Sequence, residues 1–231
     1  MTFNHLTLRS LSGTAVTLPM KRPLGTSAQT IDTAALLLVD LLTTEGITGR
    51  AYAFCYLPSI ARSLVPIVAE LNGALAGQPL IPLDLTNQIM RHFKLPGIVG
   101  PLAMVASSID TAIWDALAIA ADMPLATFLG AGPRQIPAYN SNGLGLMSAD
   151  AAADDAEALL ESGFRAVKLR LGRGDIGLDL AAVRAVRKRL PDQVRLMVDF
   201  NQALTFSDAM QYCLALDEEG GLLDRGAHPA R

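Results

Sequence analysis

From residue 134 onward, short apolar segments alternate with helical segments, and this alternation constrains the fold more than any other feature. The pattern predicts strands at 136–140, 166–171 and 194–199, and helices at 148–162, 178–190 and 207–219. Ser148 is placed to cap the first of these helices, and Gly163 to end it. Parallel neighbours are the usual product of such strand–helix units, because a helix carries the chain back to the same edge. The second half therefore predicts a parallel sheet or a barrel.

The first 130 residues follow a different pattern. Period-two alternation and apolar runs predict strands at 5–11, 13–18, 34–41 and 49–56, with a polar loop at 21–27, and then helices at 59–75, 84–93 and 102–121. The strands form an antiparallel meander. The last helix is apolar nearly all round, which is typical of a buried helix. Glycines and a proline at 130–133 predict a domain boundary there.

Composition excludes several classes of protein. Half of the 231 residues (51%) are hydrophobic and 18% are charged, so disorder is excluded. The net charge is -3, and without a basic excess we expect no nucleic-acid partner. The sequence shows neither a secretory signal nor an uncharged apolar stretch of membrane-spanning length, so we expect no membrane partner and a cytoplasmic protein. Cys55 and Cys213 both lie in apolar runs and are interpreted as buried thiols.

Polar side chains at the carboxyl ends of the predicted strands are the candidate functional residues, since ligands gather there in such folds. Lys168 and Arg170 lie two apart and so share a strand face. If Val167 and Leu169 face the helices, both cations face the interior, where an anion must meet them. A neighbouring cation favours the neutral form of a lysine, so Lys168 is a candidate base. A solvated strand edge is the competing interpretation.

Three further residues are candidates. Asp199 ends the third strand, where its carboxylate suits magnesium, although an aspartate at a strand end also serves as a turn former or helix cap. Ser141 follows the first strand, but no nucleophile motif surrounds it. Tyr52 alternates with Phe54 and Tyr56 on one predicted strand face, which indicates either sheet packing or a substrate wall.

Three motifs resemble the mandelate racemase and muconate-lactonising branch of the enolase superfamily. They are the helical run ASSIDTAIWD at 106–115, the second-strand phrase GFRAVK at 163–168 and the third-strand phrase VDFNQ at 198–202. The meander with YAFCY at 52–56 and the loop at 21–27 are most similar to the mandelate racemase subgroup. The resemblance runs from about residue 6 to about residue 220.

The resemblance implies an α+β N-terminal capping domain (1–130) followed by the first three strand–helix units of a (β/α) TIM-like barrel (131–221). It implies a magnesium cofactor, a small hydroxy-carboxylate substrate and a homo-oligomeric intact parent. Its chemistry is removal of the proton alpha to the carboxylate. By position, Asp199 matches a metal ligand, Lys168 contacts the substrate carboxylate, Ser141 lies beside the substrate and Asn201 is a polar neighbour.

One departure concerns residue 170, which is arginine where mandelate racemase has a catalytic lysine. A guanidinium is a poor base at neutral pH, so Arg170 is expected to orient or neutralise a carboxylate. Lys168 then acts as the base, or catalysis rests on a dyad from the other half of the barrel, as in the acid-sugar dehydratases of this group. A non-catalytic structural or interaction fragment is the third alternative.

A second departure concerns residues 222–231, which do not have the pattern of a fourth barrel strand. One permitted back-translation of this tail, read one base later, gives Trp-Ile-Glu-Glu-Pro-Ile, which resembles the fourth-strand motif of the family. We therefore expect a frameshift after about Gly221 and a C-terminally truncated chain. Because the remaining metal carboxylates of the family lie on later strands, we expect this chain by itself to be inactive.

Overall fold

The computed structural model describes residues 6–219 and divides them between two compact units. The first unit contains the residues up to Pro19 and Thr33–Gln135, and the second contains Met20–Asp32 and the residues from Ile136 on. The strands are β1 (Leu8–Gly25), β2 (Thr30–Thr43), β3 (Thr48–Phe54), β4 (Ala166–Arg170) and β5 (Arg195–Asp199). The helices are α1 (Pro58–Leu75), α2 (Pro82–His92), α3 (Pro101–Ala120), α4 (Leu125–Phe128), α5 (Ala149–Ala158), α6 (Ile176–Arg189) and α7 (Phe206–Glu218). The proposed out-of-frame tail at 222–231 lies outside the described residues.

The first unit contains a three-stranded sheet in the order β1-β2-β3. β2 and β3 are antiparallel, with Leu36 opposite Phe54 and Leu42 opposite Thr48. The two short strands predicted at 5–11 and 13–18, and most of the predicted loop at 21–27, are instead the single strand β1. The strand continues through Gly13, where a side chain would lie only 3.1 Å from the side chain of Val68.

Three helices complete the core of the first unit, and each begins at a proline: Pro58, Pro82 and Pro101. Proline suits the first helical turn because its missing N–H would have no partner there. The strand β3 packs closely on α3, and Gly49 is the point of nearest approach to that helix.

The helix α3 is long and apolar enough to cross a membrane by length and composition alone, but a buried core helix passes the same test. Seven of its residues are buried, among them Val105, Ile109 and Ile113. It contacts β3, α1 and α2. Its buried face therefore belongs to the core of the first unit.

The second unit is built on two parallel strands. Ala166 of β4 lies opposite Arg195 of β5, and Arg170 lies opposite Asp199. One face of this pair is covered by α5 and α6, whose small apolar side chains form a core with the strands. The predicted combination of an α+β capping domain and an incomplete barrel is confirmed.

The first of the three predicted barrel strands, at 136–140, is not formed as predicted. Only Asn140 makes a parallel bridge, to Val167. Pro137 has no N–H to donate to a ladder, and the side chain of Ile136 is 75% exposed. Without burial or a full set of hydrogen bonds, this segment stays irregular up to Asn140.

The interpretation of both cysteines as buried thiols is half correct. Cys55 is buried and Cys213 is exposed. In α7 the neighbouring Tyr212 faces the interior, and consecutive helical residues point in directions about 100° apart. An apolar run in a helix therefore cannot bury each of its members on one face.

Candidate functional site

The alternation of side chains along β4 determines which of them reach the candidate site. Val167 and Leu169 are fully buried in the core with α6, as is Val183 of that helix. Lys168 and Arg170 therefore project from the opposite face, because successive strand residues point to opposite sides. The carboxyl end of β4 presents two cations next to the carboxyl end of β5.

Lys168 and Asp199 form an ion pair across the two strand ends. The lysine Nζ lies 2.9 Å from Asp199 Oδ2, and both side chains are mostly buried. The same Nζ lies 5.3 Å from the centre of the Tyr139 ring, close enough for a cation–π contact. Two residues predicted from different strands are thus in direct contact.

Asn201 closes the turn after β5. Its backbone N–H donates to Asp199 Oδ1 at 2.9 Å, and its φ of 48° places it in the left-handed region that asparagine tolerates. The side-chain Oδ1 of Asn201 is buried, and none of the described residues donates to it. The turn therefore fixes one Asp199 oxygen while Lys168 holds the other.

The net electrostatic environment lowers the pKa of Asp199. Burial by itself disfavours the carboxylate, but the hydrogen bonds from Lys168 and Asn201 and the charges of Lys168 and Arg170 outweigh it. Asp199 is therefore ionised at neutral pH and presents two oxygens that suit a hard cation.

Arg170 is only 5% exposed, and its guanidinium binds the backbone. Nη1 donates to the carbonyl oxygen of Gly143 at 2.6 Å, and both Nη atoms lie 3.4 Å from the carbonyl oxygen of Ser141. Burial lowers the pKa of Arg170, with Asp199 and Tyr139 acting in the opposite direction. The hydrogen bonds of Arg170 thus go to loop carbonyls, and its expected role of orienting or neutralising a carboxylate stays a prediction.

Ser141 lines a cavity of about 360 Å³ within the second unit. The remaining lining residues are Met20, Arg22, Pro23, Leu24, Tyr139, Asn140, Asn142, Gly143 and Arg170. Arg22 closes one wall by donating to Asp155 at 2.9 Å and to the Asn142 carbonyl at 3.1 Å. A larger cavity of about 530 Å³ lies at the opposite ends of the strands, beside Ala166 and Arg195. In barrel folds that end serves stability, so the smaller cavity is the candidate substrate site.

Tyr52 belongs to the first unit, and its side chain is 69% exposed. The predicted alternation with Tyr56 is wrong, because β3 ends at Phe54 and Tyr56 follows it with a left-handed φ of 60°. The rings of Phe54 and Tyr56 meet edge to face at 4.8 Å. The assignment of Tyr52 as a substrate contact stays a prediction.

The described residues contribute one ligand to the magnesium site expected from the sequence. Between residues 6 and 219 no group of three or more histidine, cysteine or acidic side chains is arranged to hold a metal. Magnesium prefers six oxygens in octahedral geometry, and Asp199 supplies a single carboxylate. The described part of the chain does not by itself fit the ion.

Sequence reasoning missed a buried carboxylate, Asp179, which accepts hydrogen bonds from the loop after β4 and from Tyr212 of α7. A signal was present, because Asp179 lies three, four and seven residues before Ala182, Val183 and Val186, which form the buried stripe of α6. An acid on the apolar stripe of a helix is exceptional and indicates a satisfied buried charge.

Comparison with known proteins identifies two matching domain families. Residues 11–130 match the N-terminal domain of the mandelate racemase / muconate lactonizing enzymes, and residues 151–223 match an enolase C-terminal domain-like family. The chain is 31% identical over 183 residues to 3,6-anhydro-alpha-L-galactonate cycloisomerase of Streptomyces coelicolor, covering 78% of this chain and 50% of that protein. It is 26% identical over 209 residues to L-Ala-D/L-Glu epimerase of Bacillus subtilis, covering 89% and 55%.

Two solved structures of enolases are also similar to this chain. A magnesium-bound enolase from alpha proteobacterium bal199 is 40% identical with a TM-score of 0.88, covering 93% of this chain and 60% of that one. An enolase from Bradyrhizobium, complexed with magnesium and mandelic acid, is 35% identical with a TM-score of 0.86, covering 96% and 61%. The chain spans about half the length of the curated relatives it matches. Their activities include cycloisomerase, epimerase and dehydratase, so the similarity does not single out the mandelate racemase subgroup.

Proposed function

The chain belongs to the mandelate racemase / muconate lactonizing enzyme family of the enolase superfamily, and we propose that the protein it represents removes the proton next to a substrate carboxylate. The substrate class is a small α-hydroxy acid, and the cofactor is magnesium. Both of the solved structures described above contain magnesium, and one of them also contains mandelic acid. The other metal carboxylates must come from outside the described residues.

The observation that carries this proposal is the Lys168–Asp199 ion pair of 2.9 Å at the ends of adjacent parallel strands. The pair lies at the carboxyl edge of the strands, where barrel enzymes bind their substrates. Asp199 is the metal ligand in this assignment. Lys168 binds the substrate carboxylate through its ammonium, or accepts the alpha proton when it is neutral.

Two groups around the ion pair would organise the substrate. Ser141 lines the cavity, and Arg170 fixes the loop that carries it through the carbonyls of Ser141 and Gly143. Magnesium, when bound, would supply positive charge for the oxygens of the substrate carboxylate. The buried Arg170 adds a fixed positive charge behind that position.

An acid-sugar dehydratase is the second candidate, and Arg170 favours it. A guanidinium is a poor base, and this one is bound to two loop carbonyls, so Arg170 does not serve as one of the two bases that racemisation needs on opposite faces of the alpha carbon. Loss of a β-hydroxyl needs one base for the same proton, and the hydroxyl leaves as water when a general acid protonates it. L-talarate/galactarate dehydratase of Salmonella typhimurium is 26% identical over 73% of this chain.

Exchange of the substrate alpha proton in deuterated water tests the proposal. We expect exchange on mandelate or on sugar acids by the whole protein, and a loss of about a thousandfold in Lys168→Met and in Asp199→Asn. Matched controls are Lys188→Met and Asp192→Asn, which change exposed residues of the same types. Exchange that persists near the wild-type rate in either site variant would refute the assignment of the strand ends. A protein without exchange on any hydroxy acid would favour the non-catalytic alternative.

A further inference from the structure

A carboxylate with no exposed surface lies behind the candidate site. Asp179, on the first turn of α6, is 0% exposed. Its Oδ2 accepts from the backbone N–H groups of Gly172 at 2.9 Å and Arg173 at 3.2 Å, and from the Tyr212 hydroxyl at 3.0 Å. Its Oδ1 lies 2.7 Å from Arg173 Nη1. A buried charge with this many donors is fully paired, and these donors are not among the candidate site residues.

Arg173 connects Asp179 to two loops of the site. Its Nη2 donates to the carbonyl of Met147 at 2.9 Å, in the loop before α5, and its Nη1 lies 3.4 Å from the carbonyl of Arg170 at the end of β4. The side chain is 12% exposed. Through this one guanidinium, the Asp179 charge holds the loop after β4 against the loop that follows Ser141.

Tyr212 connects Asp179 to the end of β5. Its ring meets Phe200 edge to face at 4.9 Å, and Phe200 directly follows Asp199. The Phe200 carbonyl in turn accepts from the Ser27 hydroxyl at 3.0 Å. The position of the chain after Asp199 therefore depends on a ring whose hydroxyl is bound to Asp179.

The loop after β4 is closely packed at Gly172. Gly172 has a φ of 106°, and a side chain there would lie 3.1 Å from Ala203 Cβ and 3.2 Å from Ser27 Cβ. Only glycine combines that backbone angle with that proximity. The loop after β4 is therefore packed closely against the loop after β5 at this point.

We infer that Asp179 is a positioning residue, which sets the separation of Lys168 and Asp199 by holding the loops after β4 and β5 at once. The inference rests on the proposed function of that ion pair. Buried and fully paired charges are costly to assemble, and an apolar group could fill the same space. What Asp179 provides beyond filling space is directional bonds to the loop after β4 and to Tyr212 of α7. Through Arg173 and Tyr212 it also acts on the loop before α5 and on the chain after Asp199.

Hydrogen exchange of single amides in the full chain tests the inference without any activity. The reporter is the Asn201 amide, which donates to Asp199 and has no bond to Asp179. The reference is the Leu159 amide, which donates to the Asp155 carbonyl at 3.0 Å at the end of α5 away from Met147. In Asp179→Asn we expect exchange at Asn201 to rise at least about tenfold more than at Leu159.

Two further variants complete the test. Tyr212→Phe keeps the ring contact and removes one hydrogen bond, so we expect a smaller selective rise at Asn201, and this variant decides the question if Asp179→Asn does not fold. Arg189→Gln removes two exposed ion pairs from the same helix, and we expect no selective change at Asn201. Equal changes at Asn201 and Leu159 in the Asp179 and Tyr212 variants would overturn the inference.

Kinetics of the whole protein separate this inference from the proposed function. We expect Asp179→Asn to lower kcat by about tenfold or more with KM within about twofold, because misplacing reacting groups raises the barrier more than it weakens binding. An unchanged kcat would overturn the inference. A wild-type protein without turnover would refute the proposed function, and the selective exchange at Asn201 would still decide the role of Asp179.

Discussion

The hydroxyl of Tyr212 is the residue-scale feature with the clearest pH consequence. Burial raises its pKa to about 12, and the hydrogen bond to Asp179 and the charges of Asp179, Asp175 and Asp208 act in the same direction. An unfolded tyrosine titrates near 10, so the folded state holds the proton more tightly. This contribution to stability is complete below pH 10 and is lost as the pH rises toward 12. We expect the urea midpoint of unfolding to fall across that window.

The matched control is Tyr212→Phe, measured over the same pH range. Lysines also titrate there, but they do so in both proteins, so the difference between the two curves isolates Tyr212. We expect the stability difference to be constant below pH 10 and to shrink above it. A difference that stays constant to pH 12 would show that folding does not raise the pKa of Tyr212.

Strand periodicity was enough to place Lys168 and Asp199 among the polar side chains at one edge of the predicted parallel strands, but their ion pair was not predicted. The hydrogen bonds of Asp179 could not be predicted either. Its partners Gly172 and Tyr212 lie on either side of it in the chain, and Tyr212 reaches it only when α7 packs. The carbonyl partners of Arg170 could not be predicted either, because every residue has a backbone carbonyl and the sequence does not indicate which one a side chain will bind.

At the scale of elements, the packing of β3 on α3 depends on the missing side chain of Gly49. A Cβ there would overlap the carbonyl oxygen of Ala112 and lie 2.8 Å from Ala116 Cβ. Neither atom can move without shifting α3. We expect Gly49→Ala to lower the free energy of unfolding by at least about 2 kcal/mol, as overpacking does. Urea denaturation followed by circular dichroism measures it.

Gly73 on α1 provides the opposite control. A Cβ at this exposed helical position meets nothing within 4 Å. Alanine is favoured over glycine inside a helix by about 0.5–1 kcal/mol, so we expect Gly73→Ala to raise the free energy of unfolding by that amount. If both alanine variants destabilise equally, the close approach at Gly49 is not the cause.

Elements with strong local signals were predicted within one or two residues, and those that depend on neighbours were not. The helices at 59–75 and 102–121 begin after prolines and carry long apolar stripes, and the structure places them at Pro58–Leu75 and Pro101–Ala120. The strand predicted at 136–140 pairs only through Asn140. Pro137 has no N–H to donate and Ile136 is exposed, so the alternation of its residues did not decide the outcome.

At the scale of the whole molecule, the number of metal ligands leads to a prediction about the chain by itself. Asp199 is one carboxylate, and magnesium gives up its water reluctantly to so few ligands. We expect calorimetry of the 231-residue chain to show no saturable magnesium binding in the micromolar range. Saturable binding there, abolished by Asp199→Asn but not by Asp192→Asn, would show that this chain or its oligomer completes the site.

The proposed frameshift is tested on DNA. We expect the genomic sequence after the codon for Gly221, read one base later, to encode Trp-Ile-Glu-Glu-Pro and to continue with further strand–helix units. Their carboxylates would supply the remaining ligands of the proposed magnesium site. A confirmed reading frame, followed by no related codons in any frame, would contradict this prediction.

The assignment of Met20–Asp32 to the second unit has a consequence for recombination between related genes. This hairpin tip is encoded inside the first unit, yet Arg22 binds Asp155, and Ser27 binds the Phe200 carbonyl. A recombination event at the junction near residue 135 would separate the tip from the loops it recognises. Exchange of the two units between related genes would therefore keep these contacts only in two cases. Either residues 20–32 are exchanged together with the second unit, or the incoming second unit already has side chains that fit this tip.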